Sequence, residues 1–145
     1  MSHYLVELER KADALKNAGR NAEAAELFST IVEVQPDWEH GTALHMLAQC
    51  YEDVGKLELA EENYRAALKY EPANDIFLGG YASFLYLHGK PEDAFNAYLE
   101  LLLVDKRNNF EEGIKRAMIG LKALGEELGW TDAEVANKIE KRVMP

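Results

Sequence analysis

Residues 44–72 read LHMLAQCYEDVGKLELAEENYRAALKYEP, and this stretch decides the fold. Two sets of apolar residues in it return at the spacing of one helix face, on either side of Gly55. The two sets are Leu44, Leu47, Ala48 and Tyr51, and Leu57, Ala60, Tyr64, Ala67 and Leu68. Gly55 supplies a tight turn, and Pro72 ends the second helix because proline cannot donate a hydrogen bond to the preceding turn. The stretch predicts two helices joined by a turn.

The same pattern occurs three times along the chain. The five markers of the central copy are Ala48, Gly55, Ala60, Tyr64 and Pro72. Their counterparts 36 residues earlier are Ala12, Gly19, Ala24, Phe28 and Pro36. The counterparts 34 residues later are Ala82, Gly89, Ala94 and Tyr98, with Lys106 in place of the proline. A repeat of this length predicts a solenoid of helix pairs.

This repeat resembles the tetratricopeptide repeat, whose pattern runs W-x-x-L-G-x-x-Y, then A-x-x-x-F, then P over 34 residues. The best match reads Leu44-x-x-Leu47-Ala48-x-x-Tyr51, then Ala60-x-x-x-Tyr64, then Pro72. The resemblance covers roughly residues 5–106. It implies an all-α fold, a right-handed α-α superhelix of about eight helices.

The predicted layout is one domain over residues 1–145, with repeats at about 5–38, 41–74 and 75–108. The first linker is longer by two residues, and the excess falls at or just after residues 37–41. Trp38 is expected to plug this turn, and the alternative is that it is an exposed anchor for a partner. Residues 109–145 are predicted to form a degenerate fourth repeat or a helical cap, with 125–130 too long for the usual turn.

Several residues are suited to the ends of the predicted helices. Asn74 can cap the fifth helix, and Pro91 falls in the first turn of the sixth, where its missing N–H costs little. Asn108 or Asn109 is expected to cap the seventh helix. Thr131 with Glu134 has the spacing of a capping box that opens the last helix.

In the family, the first helices of successive repeats line a concave groove, so the resemblance implies a surface that binds a peptide or protein. The groove positions that carry over are Glu9, Asp13, Thr42, His45, Met46, Gln49, Ile76, Gly79, Gly80, Ser83, Tyr86 and Phe110. In the partial fourth repeat, Gly113, Ile114 and Ala117 are expected beside Phe110.

The chemistry of these positions favours one kind of partner. Family members that hold the carboxylate of chaperone tails use lysine, arginine and asparagine, whereas the slots here hold Glu9, Asp13, Met46, Ile76 and Gly80. Residues 37–105 carry 13 acidic and 4 basic side chains. A partner with apolar side chains and some basic character is expected.

Gly79 and Gly80 interrupt a helical pattern, where each glycine costs about 1 kcal/mol relative to alanine. One explanation is a pocket floor that admits a residue of the ligand. The other is close packing of the C-terminal helix against that surface.

Composition excludes several classes of function. The net charge of -10 disfavours nucleic acid as a partner, and no phosphate-binding loop or nucleophile elbow occurs, so neither an enzyme nor a cofactor is expected. His40 and His45 are five residues apart without a cysteine pair nearby, so no metal site is expected. The lone Cys50 is predicted to pack between helices.

Residues 1–10 lack the core of a signal peptide, and no apolar run is long enough to span a membrane, so a cytoplasmic location is expected. The predicted function is a non-catalytic protein-binding module. Two alternatives stay open: a small acidic tetratricopeptide chaperone for a secreted or aggregation-prone client, and a structural protein that self-associates into a homo-oligomer.

Overall fold

The computed structural model describes residues 2–143, and those residues form eight α-helices, which confirms the all-α prediction. The chain divides into two compact units, Met1–Pro72 (unit 1) and Ala73–Pro145 (unit 2). The helices of unit 1 are α1 (Ser2–Asn17), α2 (Asn21–Val34), α3 (Thr42–Asp53) and α4 (Leu57–Tyr70). Those of unit 2 are α5 (Asp75–Leu87), α6 (Pro91–Arg107), α7 (Glu111–Glu127) and α8 (Asp132–Val143).

Most of the turns between helices are built in one way. At the first turn Gly19 has a φ of 78°, and the N–H of Arg20 donates to the carbonyl of Leu15 at 2.8 Å. This six-residue hydrogen bond ends a helix and reverses the chain, and a left-handed residue is required inside it. The same bond closes the turns whose left-handed residues are Gly55, Gly89, Asn109 and Gly129.

Two expectations about the C-terminal region are wrong. Asn109 does not cap α7 from outside: with a φ of 55° it takes the glycine position of the turn after α6, and Phe110 stands at the cap of α7. Asparagine tolerates this left-handed geometry better than most residues. Residues 125–130 are not a long linker either, because α7 continues to Glu127 and only residues 128–131 separate it from α8.

The other predicted helix ends are confirmed. The Asn74 side chain accepts a hydrogen bond from the Phe77 N–H at 3.0 Å, and Pro91 opens α6. The Thr131 hydroxyl accepts from the Glu134 N–H at 3.1 Å, while the Glu134 carboxylate accepts from the Thr131 N–H at 3.3 Å. This reciprocal pair is a capping box at the start of α8.

The lengthened linker of unit 1 forms a short 3₁₀ turn, Trp38–Gly41. Glu39, His40 and Gly41 all have positive φ values there, of 51°, 56° and 101°. The turn brings Trp38 into the core, where 6% of its surface stays exposed. The prediction that Trp38 plugs this turn is confirmed.

Alanines dominate the close contacts of unit 1. Residues that are completely buried in its core include Leu5, Ala12, Ala24, Ile31, Ala48, Cys50, Ala60 and Ala67. A methyl side chain lets two helices approach without leaving a void. The second helix of each pair also inserts an aromatic ring, Phe28 from α2 and Tyr64 from α4.

Unit 2 also buries alanines, Ala82, Ala94 and Ala117, and it adds glycines at other helix contacts. A Cβ atom added at Gly113 would lie 1.8 Å from Oδ2 of Asp105, and one at Gly125 would lie 2.4 Å from Cγ2 of Val135. Each glycine therefore leaves room for a side chain of the neighbouring helix. This is why α8 packs closely on α7.

Candidate binding surfaces

The predicted groove residues of unit 1 lie on α1 and α3, the first helices of its two pairs. Five of them are half-buried and form what we call the unit 1 face: Glu9, Asp13, Thr42, Met46 and Gln49. Their side chains remain accessible to a ligand. The face contains two carboxylates and no basic residue.

The two carboxylates of the unit 1 face are partly desolvated. One oxygen of Glu9 accepts a hydrogen bond from the indole N–H of Trp38 at 3.0 Å. Burial raises the pKa of Glu9, although this hydrogen bond opposes the shift. Burial also raises the pKa of Asp13, against the effect of nearby Lys16. A bound cation would restore the charge interaction that these groups lost with water.

His45 differs from the other predicted groove residues because it lies in the core, with 3% of its surface exposed. Its ring meets the ring of Tyr64 edge-on at 5.4 Å, and its Nε2 lies 3.4 Å from Nε2 of Gln49. Burial, with a smaller effect of Lys16, lowers the pKa of His45 to about 4. The imidazole is therefore neutral at pH 7, and it contacts Tyr64 of α4 beneath the unit 1 face.

Cys50 lies in the core, as predicted, and is completely buried. Burial raises the pKa of its thiol to about 11, so the reactive thiolate is scarce at neutral pH.

Across residues 2–143, no group of three or more His, Cys, Asp or Glu side chains is placed to hold a metal ion.

In unit 2, the predicted groove residues lie on α5 and at the start of α7. Three of them are large apolar side chains that stay exposed: Ile76 at 68%, Phe110 at 48% and Tyr86 at 39%. Gly80 and Ser83 are half-buried. Apolar side chains left in water on neighbouring first helices are a common sign of a binding surface.

Gly79 is buried and carries a contact that the sequence did not reveal. The guanidinium of Arg116, from α7, lies 3.0 Å from the position that a Cβ of Gly79 would occupy. Of the two explanations weighed for the glycine pair, packing against a C-terminal helix describes Gly79. The pocket-floor hypothesis stays a prediction at Gly80.

A cavity of about 450 Å³ lies beside this contact, within unit 2. We call it the α7 cavity, and it is lined by Tyr86, Tyr98, Glu112, Lys115, Arg116, Ile119, Gly120 and Ala123. A Cβ at Gly120 would lie 2.9 Å from the Tyr98 ring, so the absence of a side chain lets this ring lie against α7. Known ligand pockets span about 300–1,000 Å³.

Sequence reasoning found only Tyr86 among the residues that line this cavity. It expected Gly113 and Ala117 on the ligand-facing side of α7, but both are buried against neighbouring helices. The exposed side instead presents Lys115 and Ile119. The expected positions assume the 34-residue spacing of the preceding repeat, and the buried side of α7 does not follow that spacing.

Beneath α7 lies a buried acid, Asp105, with 1% of its surface exposed. Within the described part of the chain, neither of its carboxylate oxygens has a hydrogen-bond partner by geometry. Burial, and then the nearby charge of Asp75, raises the pKa of Asp105 to about 6, while Arg116 opposes the shift. Arg116 therefore faces both the cavity and this acidic pair.

Comparison with known proteins places this arrangement in context. Residues 45–111 match the tetratricopeptide repeat family. The transcription factor tau subunit sfc4 of Schizosaccharomyces pombe is 32% identical over 101 residues, which is 70% of this chain and 10% of the relative. The chain thus spans about a tenth of that protein's length.

Two solved structures show the same fold at low sequence identity. The first tetratricopeptide domain of Spaghetti (RPAP3), bound to the HSP90 peptide SRMEEVD, has a TM-score of 0.75 and 19% identity, covering 89% of this chain and 96% of that one. A type III secretion (T3SS) complex from Aeromonas hydrophila has a TM-score of 0.80 and 20% identity, covering 90% of this chain and 87% of that one.

The helices within residues 2–143 were also compared with the length and hydropathy that a membrane span requires. None of these helices meets both requirements.

Proposed function

The chain belongs to the tetratricopeptide repeat family, and from this premise we propose that it is a non-catalytic module that binds a segment of another protein on the first helices of its repeats. The observation that carries the proposal is the exposure of Ile76, Tyr86 and Phe110 on α5 and α7. Burying such side chains against a partner gains roughly 25 cal/mol per Å² of apolar surface.

The expected ligand has apolar side chains and at least one lysine or arginine. Glu9 and Asp13 support this choice, because both carboxylates are partly desolvated, and Lys16 opposes only part of the effect at Asp13. A cationic side chain placed there gains a charge-assisted hydrogen bond in a site that already excludes part of the water. Met46 is half-buried and packs against the core of unit 1, so its side chain offers the ligand an adaptable apolar contact.

Affinity capture from a native lysate, followed by mass spectrometry, tests this proposal with matched pairs of baits. Gly80→Arg fills the predicted pocket floor, and Gly80→Ala is its control, since alanine favours the helix without filling the site. Asp13→Lys reverses a charge on the unit 1 face, and Glu62→Lys makes the same change at an exposed position of α4. Circular dichroism establishes that each bait is folded.

We expect clients that the wild type and both controls retain, and that Gly80→Arg or Asp13→Lys loses. Identical partners with all five baits would place binding elsewhere and overturn the proposal. Recovery of the chain alone would favour self-association, which light scattering at two concentrations would then establish. A chaperone role would require, in addition, that the protein suppress aggregation of a captured client.

A further inference from the structure

The α7 cavity has a charge character opposite to that of the unit 1 face. Two cations, Lys115 and Arg116, stand against the single carboxylate of Glu112 on its lining, and the buried Asp105 acts on Arg116 from behind the lining. Among the described residues, no carboxylate lies within ion-pair distance of the Lys115 or Arg116 side chain. The ammonium group of Lys115 can therefore pair with one anionic group of a ligand.

The position of Arg116 is set by the fold. Its guanidinium rests over Gly79 of α5, with Nη2 at 3.0 Å and Cζ at 3.1 Å from the place of a Cβ. The missing side chain at Gly79 thus allows a cation of α7 to reach across to α5. A planar guanidinium in this position can form a two-pronged hydrogen bond with a carboxylate.

The rest of the cavity is apolar and suits one large side chain. Tyr98 forms a wall against Gly120, and Ile119 leaves 70% of its surface exposed at the rim. Arg116 also acts on the Tyr98 hydroxyl, where its charge opposes the rise in pKa caused by burial. The cation and the aromatic wall are therefore close enough to contact one ligand together.

We propose that the α7 cavity binds an internal Asp or Glu side chain that neighbours an aromatic or branched apolar residue in an extended protein segment. The carboxylate binds Arg116 and Lys115, and the apolar side chain packs against Tyr98 and Ile119. Charge complementarity selects this ligand, since its carboxylate meets the two cations of the lining. The inference rests on the proposed function only in taking a protein segment as the ligand.

The probes are three acetylated peptides, titrated into ¹⁵N-labelled protein while backbone amide shifts are followed. GSDFSG-amide carries the carboxylate and GSNFSG-amide lacks it, while GSNF with a free C-terminus supplies a carboxylate from the chain end instead. We expect the first peptide to shift amides of α7 near Lys115 and Arg116 and to bind at least about tenfold more tightly than the second.

Matched variants locate the interaction. Lys115→Glu should reduce the ratio between the first two peptides to about one, whereas Lys122→Glu, the same change at an exposed position of α7 outside the cavity, should preserve it. Ile119→Ser should weaken both peptides equally. These residues are exposed, so their substitution leaves the core unchanged.

The proposal is overturned if the Asp and Asn peptides bind equally, if the shifts lie outside α7, or if Lys115→Glu and Lys122→Glu weaken binding alike. Binding of the free C-terminal peptide alone would assign the cavity to chain ends, which also contradicts it. None of these results depends on lysate capture, so a failure here is distinct from a failure of the proposed function.

Discussion

Unit 1 and unit 2 build the same helix pairs on buried alanines, and unit 2 adds glycines at further contacts. Unit 1 closes its helix contacts with alanines and with the rings of Phe28 and Tyr64. Unit 2 places glycines where a neighbouring helix sends a longer side chain: Arg116 over Gly79, Asp105 against Gly113 and Val135 against Gly125. The repeat pattern requires a small residue where two helices are in close contact. An alanine fills that contact, whereas a glycine leaves room for a side chain of the neighbouring helix.

The charges of the two units differ in a related way. Unit 1 has 14 acidic and 7 basic residues, and unit 2 has 12 and 9. Among the described residues, the buried group of unit 1 that titrates in weakly acidic solution is an imidazole, His45, whereas that of unit 2 is a carboxyl group, Asp105. The units should therefore respond to acid in opposite directions.

The largest expected effect concerns the aromatic rings of the two units. Tyr64 leaves 2% of its surface exposed and donates to the Glu52 carboxylate at 2.6 Å. Tyr64→Ala should lower the free energy of unfolding by about 3–5 kcal/mol, because it creates a cavity and removes that hydrogen bond. Tyr98→Ala should cost less, since the ring already borders an open cavity.

Urea denaturation curves measure both variants, with Glu62→Ala as an exposed control expected to stay within about 0.5 kcal/mol of wild type. Equal losses for Tyr64→Ala and Tyr98→Ala would remove the distinction between a closed and an open contact.

The next effect is the opposite pH dependence of the two units. His45 has a pKa of about 4 when folded and 6.5 when unfolded, so the unfolded state binds more protons between these values and stability falls as the pH is lowered from 6.5 to 4. The loss attributable to His45 is on the order of 3 kcal/mol. The raised pKa values of Glu9 and Asp13 act in the opposite direction.

Asp105 makes the stability of unit 2 depend on pH in the opposite direction. Its folded pKa of about 6 exceeds the ordinary value of 3.8, so the folded state binds the extra proton and stability rises as the pH falls from 6 towards 3.8. His45→Phe should remove the loss in unit 1, and Asp105→Asn should remove the gain in unit 2. Single-tryptophan variants report each unit separately, through Trp38 or Trp130, during urea titrations at pH 7 and pH 4.5.

The smallest effect compares two glycines within unit 2. Gly113→Ala should destabilise, because overpacking costs about 1–3 kcal/mol and a Cβ at 1.8 Å from a buried carboxylate belongs at the upper end of that range. Gly79→Ala should be neutral or should gain up to about 1 kcal/mol, because only the flexible end of Arg116 must move away. Thermal melting followed by circular dichroism checks the order, and a larger loss for Gly79→Ala would contradict it.

Local signals in the sequence predicted most of the fold. The markers from Ala12 to Tyr98 gave the helix pairs, and Asn74, Pro91 and Thr131 gave correct helix starts, because caps and turns depend on neighbouring residues alone. Asn109 was misassigned because one residue type serves at both kinds of helix end. The face of α7 was mispredicted for a separate reason: its positions assumed the 34-residue spacing of the preceding repeat, which the buried Gly113 and Ala117 do not follow.

The sequence by itself determined the repeat, the eight helices and the acidic character of residues 37–105, because spacing and composition are properties of the chain. Tertiary structure alone decided that His45 lies under the unit 1 face, that Asp105 is buried and that Arg116 covers Gly79. Such contacts join residues far apart in the chain, and a periodic pattern states which side of a helix is buried without stating which side chain will meet it there.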